Sequence, residues 1–540
     1  MKGTVAWTSV GLASSQLSRI VVALVLARIL GPTEFAPVAA GAVFMTFVAL
    51  SVDLGLVSAI IQRPVLTPRH LRVAALMSWT CGSVFGVGTL IVCLAGGAGP
   101  VGSTNMLFFS SLAAAPLIRS IGLVSQSRLY RDQRQHLIGK AETGVAVLVL
   151  VCCGGAILAG LEAFAYVVPV LAAELALAAL WIGMSRPFPW PGWDREGFRE
   201  LWSFSSKSFG SDAVSVTSRN IDSIIVGWIA GAGQLSIYSV GVRFLVTPVQ
   251  FLGEVIVRIA LPEFSEKHRI GESIGPVLLA RTKSLSIAIW PTMTAVFFVA
   301  PWIVPVVLGP EWTSAVAVTQ VLCLVGAAQV SLGFIRPAMW SVGAVKPYLL
   351  LTLVVFVVSV GIYLGFASYG AVGVAAGYAF STVALAPALA VVGSKALGLP
   401  PLRTLRAVFS GAPAAILVAA PVLLLGFVIQ GSAHAELVEA IVAVVLLALF
   451  LAVGYKAGLL VPKVTSTAST PEPDGHGAVP EQSSMGQSAS GGGLLDVTAE
   501  LPRVAGIASA PTAQYPIYGA PAQSKRPGGS SRTDGRGGVF

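Results

Sequence analysis

Charge is what this sequence has least of. Only 11% of its 540 residues are Asp, Glu, Lys or Arg, less than half the share of about 25% in a soluble globular domain. A chain this poor in charge and 55% hydrophobic is not a water-soluble protein of ordinary surface. Cysteine is equally sparse: Cys81, Cys93, Cys152, Cys153 and Cys323 all fall in apolar runs, as small packing residues rather than a disulfide framework or a metal set. The five histidines show no ligand spacing. No nucleophile–base constellation, Gly-rich phosphate loop or metal motif is present, which argues against an enzyme and against a nucleotide-driven pump. Cofactors are therefore not expected.

What fills the chain instead is a series of apolar runs of the roughly 20 residues that cross a hydrocarbon core. About fourteen are counted, near 7–30, 36–61, 71–96, 104–126, 138–161 and 163–184, then 203–231, 236–262, 284–308, 313–335, 348–368 and 370–393, then 406–430 and 437–461. Lys2 precedes the first run without a small-residue cleavage site, so that run reads as a membrane helix rather than a removed signal. The net charge of +10 is not gathered on one face. It sits in alternate loops, with Arg63, Arg69 and Arg72, then Arg128, Arg131, Arg134 and Lys140, then Arg186, Arg195, Arg199 and Lys207, while 97–104 and 231–236 hold no Lys or Arg. That is the positive-inside pattern, which places both termini in the cytoplasm and leaves no reason to invoke nucleic acid.

The expected architecture is an all-α polytopic membrane protein. It comprises a six-helix lobe (1–185), a polar cytoplasmic connector (186–202), a second six-helix lobe (203–395), two further spans (396–463) and a Gly/Ser/Pro-rich tail (464–540) too polar to offset its ordering entropy. The lobes look like repeats. A shift of 200 lays Ser18-Arg19 on Ser218-Arg219 and Gly31 on Gly231, and a shift of 201 lays Asp53 on Glu254. In the seventh span Ser208, Asp212, Ser215, Arg219 and Asp222 are spaced 4, 3, 4 and 3, one stripe of a helix. In the first span Thr8, Ser15 and Arg19 trace the same path. An arginine at mid-membrane costs about 2.5–3.5 kcal/mol on insertion scales, so such residues face a cavity or a partner.

Several segments resemble one family. "LARILGPTEF" (Leu26–Phe35), "DLGLVSAIIQR" (Asp53–Arg63), "RNIDSIIVG" (Arg219–Gly227), "IYSVGVRFLVTPVQ" (Ile237–Gln250), "LPEFS" and "VLGPEW" (Val307–Trp312) look like Wzx-type polysaccharide flippases of the MOP superfamily. The resemblance covers about residues 1–400. It departs at Ala36-Pro37, where the family more usually has Gly-aromatic. It implies two pseudo-symmetric six-helix lobes around a central cavity that opens alternately to either side. The implied substrate is an undecaprenyl-diphosphate-linked oligosaccharide for exopolysaccharide or cell-surface polysaccharide, crossing the bacterial cytoplasmic membrane. A polymerase or glycosyltransferases are the candidate partners, beside the bilayer itself.

A diphosphate calls for cationic, bidentate donors. Arg19, Arg119, Arg219 and Arg243, with Ser15 and Ser215, are the candidate substrate contacts. For Arg219 a structural pair with Asp222, three residues on, is the alternative; Arg28, near a span end, is read as snorkelling. Asp53, Asp212, Asp222, Glu174 and Glu254 are candidates for ion coupling, against a role in balancing the arginines. Two rival functions stand beside the flippase. A multidrug or small-cation exporter on the same fold would call for an acidic cavity, and a membrane polysaccharide polymerase would need a large loop bearing catalytic groups.

Overall fold

A computed structural model describes residues 2–63, 65–95, 103–429 and 435–456. The tail from 464 and most of the 97–104 loop therefore lie outside the described residues. All regular structure among the described residues is helical. Eleven stretches are long and apolar enough to cross a bilayer by composition alone. One of them, Lys346–Ala396, holds two helices, and two polar helices complete the expected fourteen.

The first six are α1 (Lys2–Glu34), α2 (Ala36–Asp53, continued by Leu56–Gln62), α3 (Pro68–Leu94), α4 (Ser103–Leu112 and Ala114–Arg131), α5 (Gln135–Leu158) and α6 (Phe164–Met184). The next six are α7 (Arg195–Ile225), α8 (Ala232–Arg269), α9 (Gly275–Leu308), α10 (Thr313–Ser331, continued by Ile335–Ser341), α11 (Val345–Phe366) and α12 (Gly370–Ala396). A short helix, Pro401–Val408, leads into α13 (Ala412–Ile429) and α14 (Ala435–Lys456), and these two pack on α9.

Local chemistry sets the boundaries. Helix α7 begins at Arg195, eight residues before the expected 203, because Asp194 is extended (φ −147°, ψ 119°) and its carboxylate accepts the Gly197 N–H at 2.6 Å. Helix α2 breaks at Leu54 and Gly55, both at positive φ (47° and 71°). It restarts because Asp53 Oδ1 accepts the Val57 N–H at 3.1 Å. Pro37 sits in the first turn of α2, where its missing N–H has no intrahelical partner to lose.

The repeat is visible in the backbone. Gly31 has φ 68°, ψ 175°, and Gly231 has φ 93°, ψ 169°, a region essentially reserved for glycine. The carbonyl of each accepts an N–H four residues on, Phe35 to Gly31 and Leu235 to Gly231, both at 3.1 Å. The same strained glycine thus kinks α1 just before its end and follows the π-helical turn Val226–Ala230 that continues α7.

Contacts within α1–α6 and within α8–α12 form the two lobes, and α7 departs from its own. Its first half packs on α2 and α3 of the other lobe, with Gly55 set against Ser205 and Ser208 and the Ser205 hydroxyl donating to the Leu54 carbonyl. At the opposite end of the bundle α1 crosses to the second lobe. There Trp312 is fully buried, its Nε1–H donating to the Ala27 carbonyl at 2.9 Å and its ring set edge-on to Phe35 at 5.6 Å. The Arg28 guanidinium, exposed near the end of its span, donates to the Val306 and Val307 carbonyls, each at 2.8 Å, at the C-terminus of α9. The bundle is sealed there between α1 and α9–α10, with a cation on the negative end of a helix.

Candidate functional site: charged rows between and within the lobes

Arg19 stands midway along α1 and is exposed, with Ser15 half-buried one turn earlier. Glu142 of α5 and Tyr166 of α6 lie within electrostatic reach of it. Tyr166 also lies within reach of Arg243 of α8, which is half-buried. A residue from each lobe thus meets around one tyrosine.

The second row runs through α7. Arg219 is exposed and Ser215 half-buried. Asp212, which accepts from the Ser208 hydroxyl at 3.5 Å, lies within electrostatic reach of both Arg219 and Asp53. Asp53 in turn lies within reach of Arg119, whose Nη1 donates to Glu174 Oε1 of α6 at 3.0 Å. The row runs from Arg219 through the two acids Asp212 and Asp53 to Arg119 and Glu174, passing from α7 into the first lobe. Arg119 Nε and Glu174 Oε2 are buried without a hydrogen-bond partner. The sequence candidates Arg119, Asp53 and Glu174 are therefore neighbours, with Asp53 serving also as a helix cap.

Asp222 leaves the stripe. Instead of pairing with Arg219 it points into the second lobe, 7% exposed, where Oδ2 accepts the Tyr238 hydroxyl at 2.6 Å and Oδ1 has no partner. Tyr363 and Tyr378 complete the pocket, 5.8 Å apart between ring centroids and both within electrostatic reach of the carboxyl group. Gln329 Nε2 donates to the Tyr378 hydroxyl at 2.8 Å. A buried carboxyl group among three phenols, with no ion pair among the described residues, is a place to hold a proton or a cation. The Glu254 side chain lies outside the described residues.

The connector end carries a further cluster. Thr67 donates its N–H to His70 Nδ1 at 3.2 Å, which leaves Nε2–H facing Glu200 at 2.8 Å. Arg63 pairs with the same carboxylate, and Arg69 bonds Glu196 at 2.7 Å while its Nη2 lies 3.7 Å from Glu200. The bond from His70, followed by Arg63 and Arg69, holds the Glu200 carboxyl below the usual glutamate range. This cluster ties the start of α7 to α2 and α3. Beside the seam, an apolar groove of about 770 Å³ runs along it, lined by residues such as Phe44, Val84, Phe85, Phe109, Phe209 and Trp228.

Glu142, Tyr166, Tyr238, Tyr363, Tyr378 and the Glu200 cluster were not picked out from the sequence. One signal was available for the tyrosines: a phenol inside an apolar span must find a partner for its hydroxyl.

Known proteins agree with this architecture. The first relative is the teichuronic acid biosynthesis protein TuaB of Bacillus subtilis (strain 168), 25% identical over 327 residues, 60% of this chain and 68% of that one. The lipopolysaccharide biosynthesis protein WzxC of Escherichia coli (strain K12) is 23% identical over 315 residues, 56% of this chain and 62% of that one. Among solved structures, the lipid II flippase MurJ in an inward closed conformation superposes with a TM-score of 0.51 at 14% identity, covering 84% of this chain and 98% of that one. An inward-facing multidrug resistance MATE family transporter of the MOP superfamily gives 0.53 at 16% identity, covering 72% and 98%. The fold is that of these transporters, and the chain is a multi-pass membrane protein. The model of the family described as "Polysaccharide biosynthesis protein" matches residues 25–317, more than half of the sequence, and this chain belongs to that family.

Proposed function

We propose that this protein is a flippase for a lipid-linked oligosaccharide, moved across the bacterial cytoplasmic membrane by alternating access from a side that both termini face. One observation carries the reading. Arg19 and Arg219 occupy equivalent positions of the two repeats, deep in their helices, and both are exposed. Charges so placed in a bilayer need an aqueous cavity and an anionic partner. The diphosphate of an undecaprenyl-diphosphate carrier supplies that partner, while the chain of the carrier stays in lipid. Arg243 and Ser215 stand beside the route, and Arg119 acts through its row with Asp53 and Glu174. Relatives named for teichuronic acid and lipopolysaccharide biosynthesis support a polysaccharide cargo. A small-cation exporter fits less well, because the exposed charges at this depth are cationic. Asp222 is the coupling group on this reading, taking up an ion from one side and releasing it to the other, and the protein transports rather than catalyses.

The test uses a strain in which the gene is deleted and replaced by Arg19→Gln or Arg219→Gln, with the amount of protein in the membrane measured directly. Lipid-linked intermediate should accumulate on the cytoplasmic leaflet and polymer export should stop. Normal export by both variants would refute the role of the cavity arginines. Accumulation of a cationic dye in the deletion strain, with polymer unchanged, would favour the exporter.

A further inference from the structure

The connector between the lobes is held down at every step. Arg128 Nη1 donates to the Pro187 carbonyl at 2.8 Å, the Gly192 N–H donates to the Arg72 carbonyl at 3.1 Å, and Asp194 caps α7. A strap fixed in this way presents its side chains in set directions, and those side chains are aromatic. Trp190 is 68% exposed and Trp193 67%. Phe188 lies 6.2 Å from Trp79 and 5.1 Å from Trp190; Trp193, Phe198 and Trp202 stack in series at 5.1 Å and 5.9 Å. An exposed cluster of such rings, rimmed by polar residues, marks an interaction or membrane surface.

Depth identifies the partner. Trp79 lies seven residues past Arg72, the last charge at the start of α3. At 1.5 Å per residue, Phe188 therefore packs at a level about 10 Å further into the span than Arg72. Residues 186–188 also lie along Ala179, Ile182 and Gly183 of α6, so the strap runs beside the bundle rather than over its end. Around the rings stand exposed cations. Arg195, Arg199 and Trp202 fall at i, i+4 and i+7 on one face of α7, and Arg186 and Arg72 are exposed beside the connector. Glu196 and Glu200 turn the other way and are taken up by Arg63, Arg69 and His70. Amphipathic rings at headgroup level, with exposed arginines beside them that form no ion pair among the described residues, make a surface complementary to an anionic bilayer.

We propose that the connector is an interfacial anchor. Trp190, Trp193 and Trp202 lie in the headgroup–acyl boundary, and Arg186, Arg195 and Arg199 bind the phosphates of anionic lipids. The anchor fixes the start of α7, the helix that joins the two lobes, at a constant membrane depth. It stands whatever the cargo is.

The full chain is reconstituted in nanodiscs whose lipids are brominated either near the headgroup or near the chain end. The fluorescence that Trp190→Phe/Trp193→Phe removes is read by difference from the unsubstituted protein. That component should be quenched severalfold more by shallow bromine than by deep bromine, and little by aqueous iodide. Quenching by iodide with none by brominated lipid would overturn the proposal, leaving the rings to water or to a soluble partner. When only the anionic lipid carries bromine, Arg186→Gln/Arg195→Gln/Arg199→Gln should lose at least half of this quenching. Unchanged quenching would overturn the assignment of the arginines. All these positions are exposed, and a size-exclusion profile matching that of the unsubstituted protein confirms folding in each case.

Discussion

Replacing Trp312 should open the end of the bundle opposite the connector. Its ring is fully buried where α1 crosses to α9–α10, bonded through Nε1 to the Ala27 carbonyl and edge-on to Phe35. These contacts exist only while that end is closed. The hydrogen bond contributes about 1 kcal/mol net, and the aromatic pair adds about 0.5–1.5 kcal/mol. Together they favour the closed arrangement by about 2 kcal/mol, roughly a 30-fold change in the ratio of states when lost. Trp312→Phe keeps the ring pair and loses only the hydrogen bond, so its shift should be smaller, about fivefold. Spin labels at Thr33→Cys and Ser314→Cys, both exposed positions flanking the contact, in a background lacking the five native cysteines, would report the separation. A longer-distance population should be small in the parent, intermediate for Phe and dominant for Ala. Identical distributions for all three proteins would show that the contact does not close this end. A loss of folded protein in the Ala variant alone would leave the Phe comparison to decide.

Asp222→Asn retains an acceptor for Tyr238 but cannot carry a proton, so transport should lose its dependence on an imposed gradient; unchanged dependence would remove Asp222 from coupling. Glu200 has its pKa depressed in the fold, so its stabilisation is present above the ordinary glutamate range and fades as pH falls through and below it. The melting-temperature advantage of the parent over Glu200→Gln should therefore be full at pH 7 and shrink below about pH 4.3; an advantage that grows in acid would contradict the assignment. Gly31→Ala and Gly231→Ala each place a Cβ in a backbone region reserved for glycine, and each should cost about 1–3 kcal/mol in thermal unfolding. A neutral result at either site would mean that the turn relaxes there.

The legibility of this protein follows the range of the forces involved. Span number came from the bilayer requirement for long apolar runs, which acts on each segment alone. The repeat came from an offset of 200 that lays Ser18-Arg19 on Ser218-Arg219 and Gly31 on Gly231, and the backbone geometry those two glycines share was visible only in the fold. The stripe on α7 was legible as periodicity, and its splitting was not. Helical spacing placed Asp222 beside Arg219, three residues away, and only the packing of α7 on α8 seats it against Tyr238, sixteen residues on.

By itself, then, the sequence determined a fourteen-helix, two-lobe membrane protein with arginines deep in equivalent helices, since hydropathy, loop-charge alternation and helical periodicity are local or periodic. Only the tertiary structure decided which charges meet. Arg119 finds Glu174 across 55 positions, α7 seats its first half on the opposite lobe, and the connector turns its tryptophans outward. These depend on how helices lie against one another, and interactions between groups distant along the chain leave no period in it.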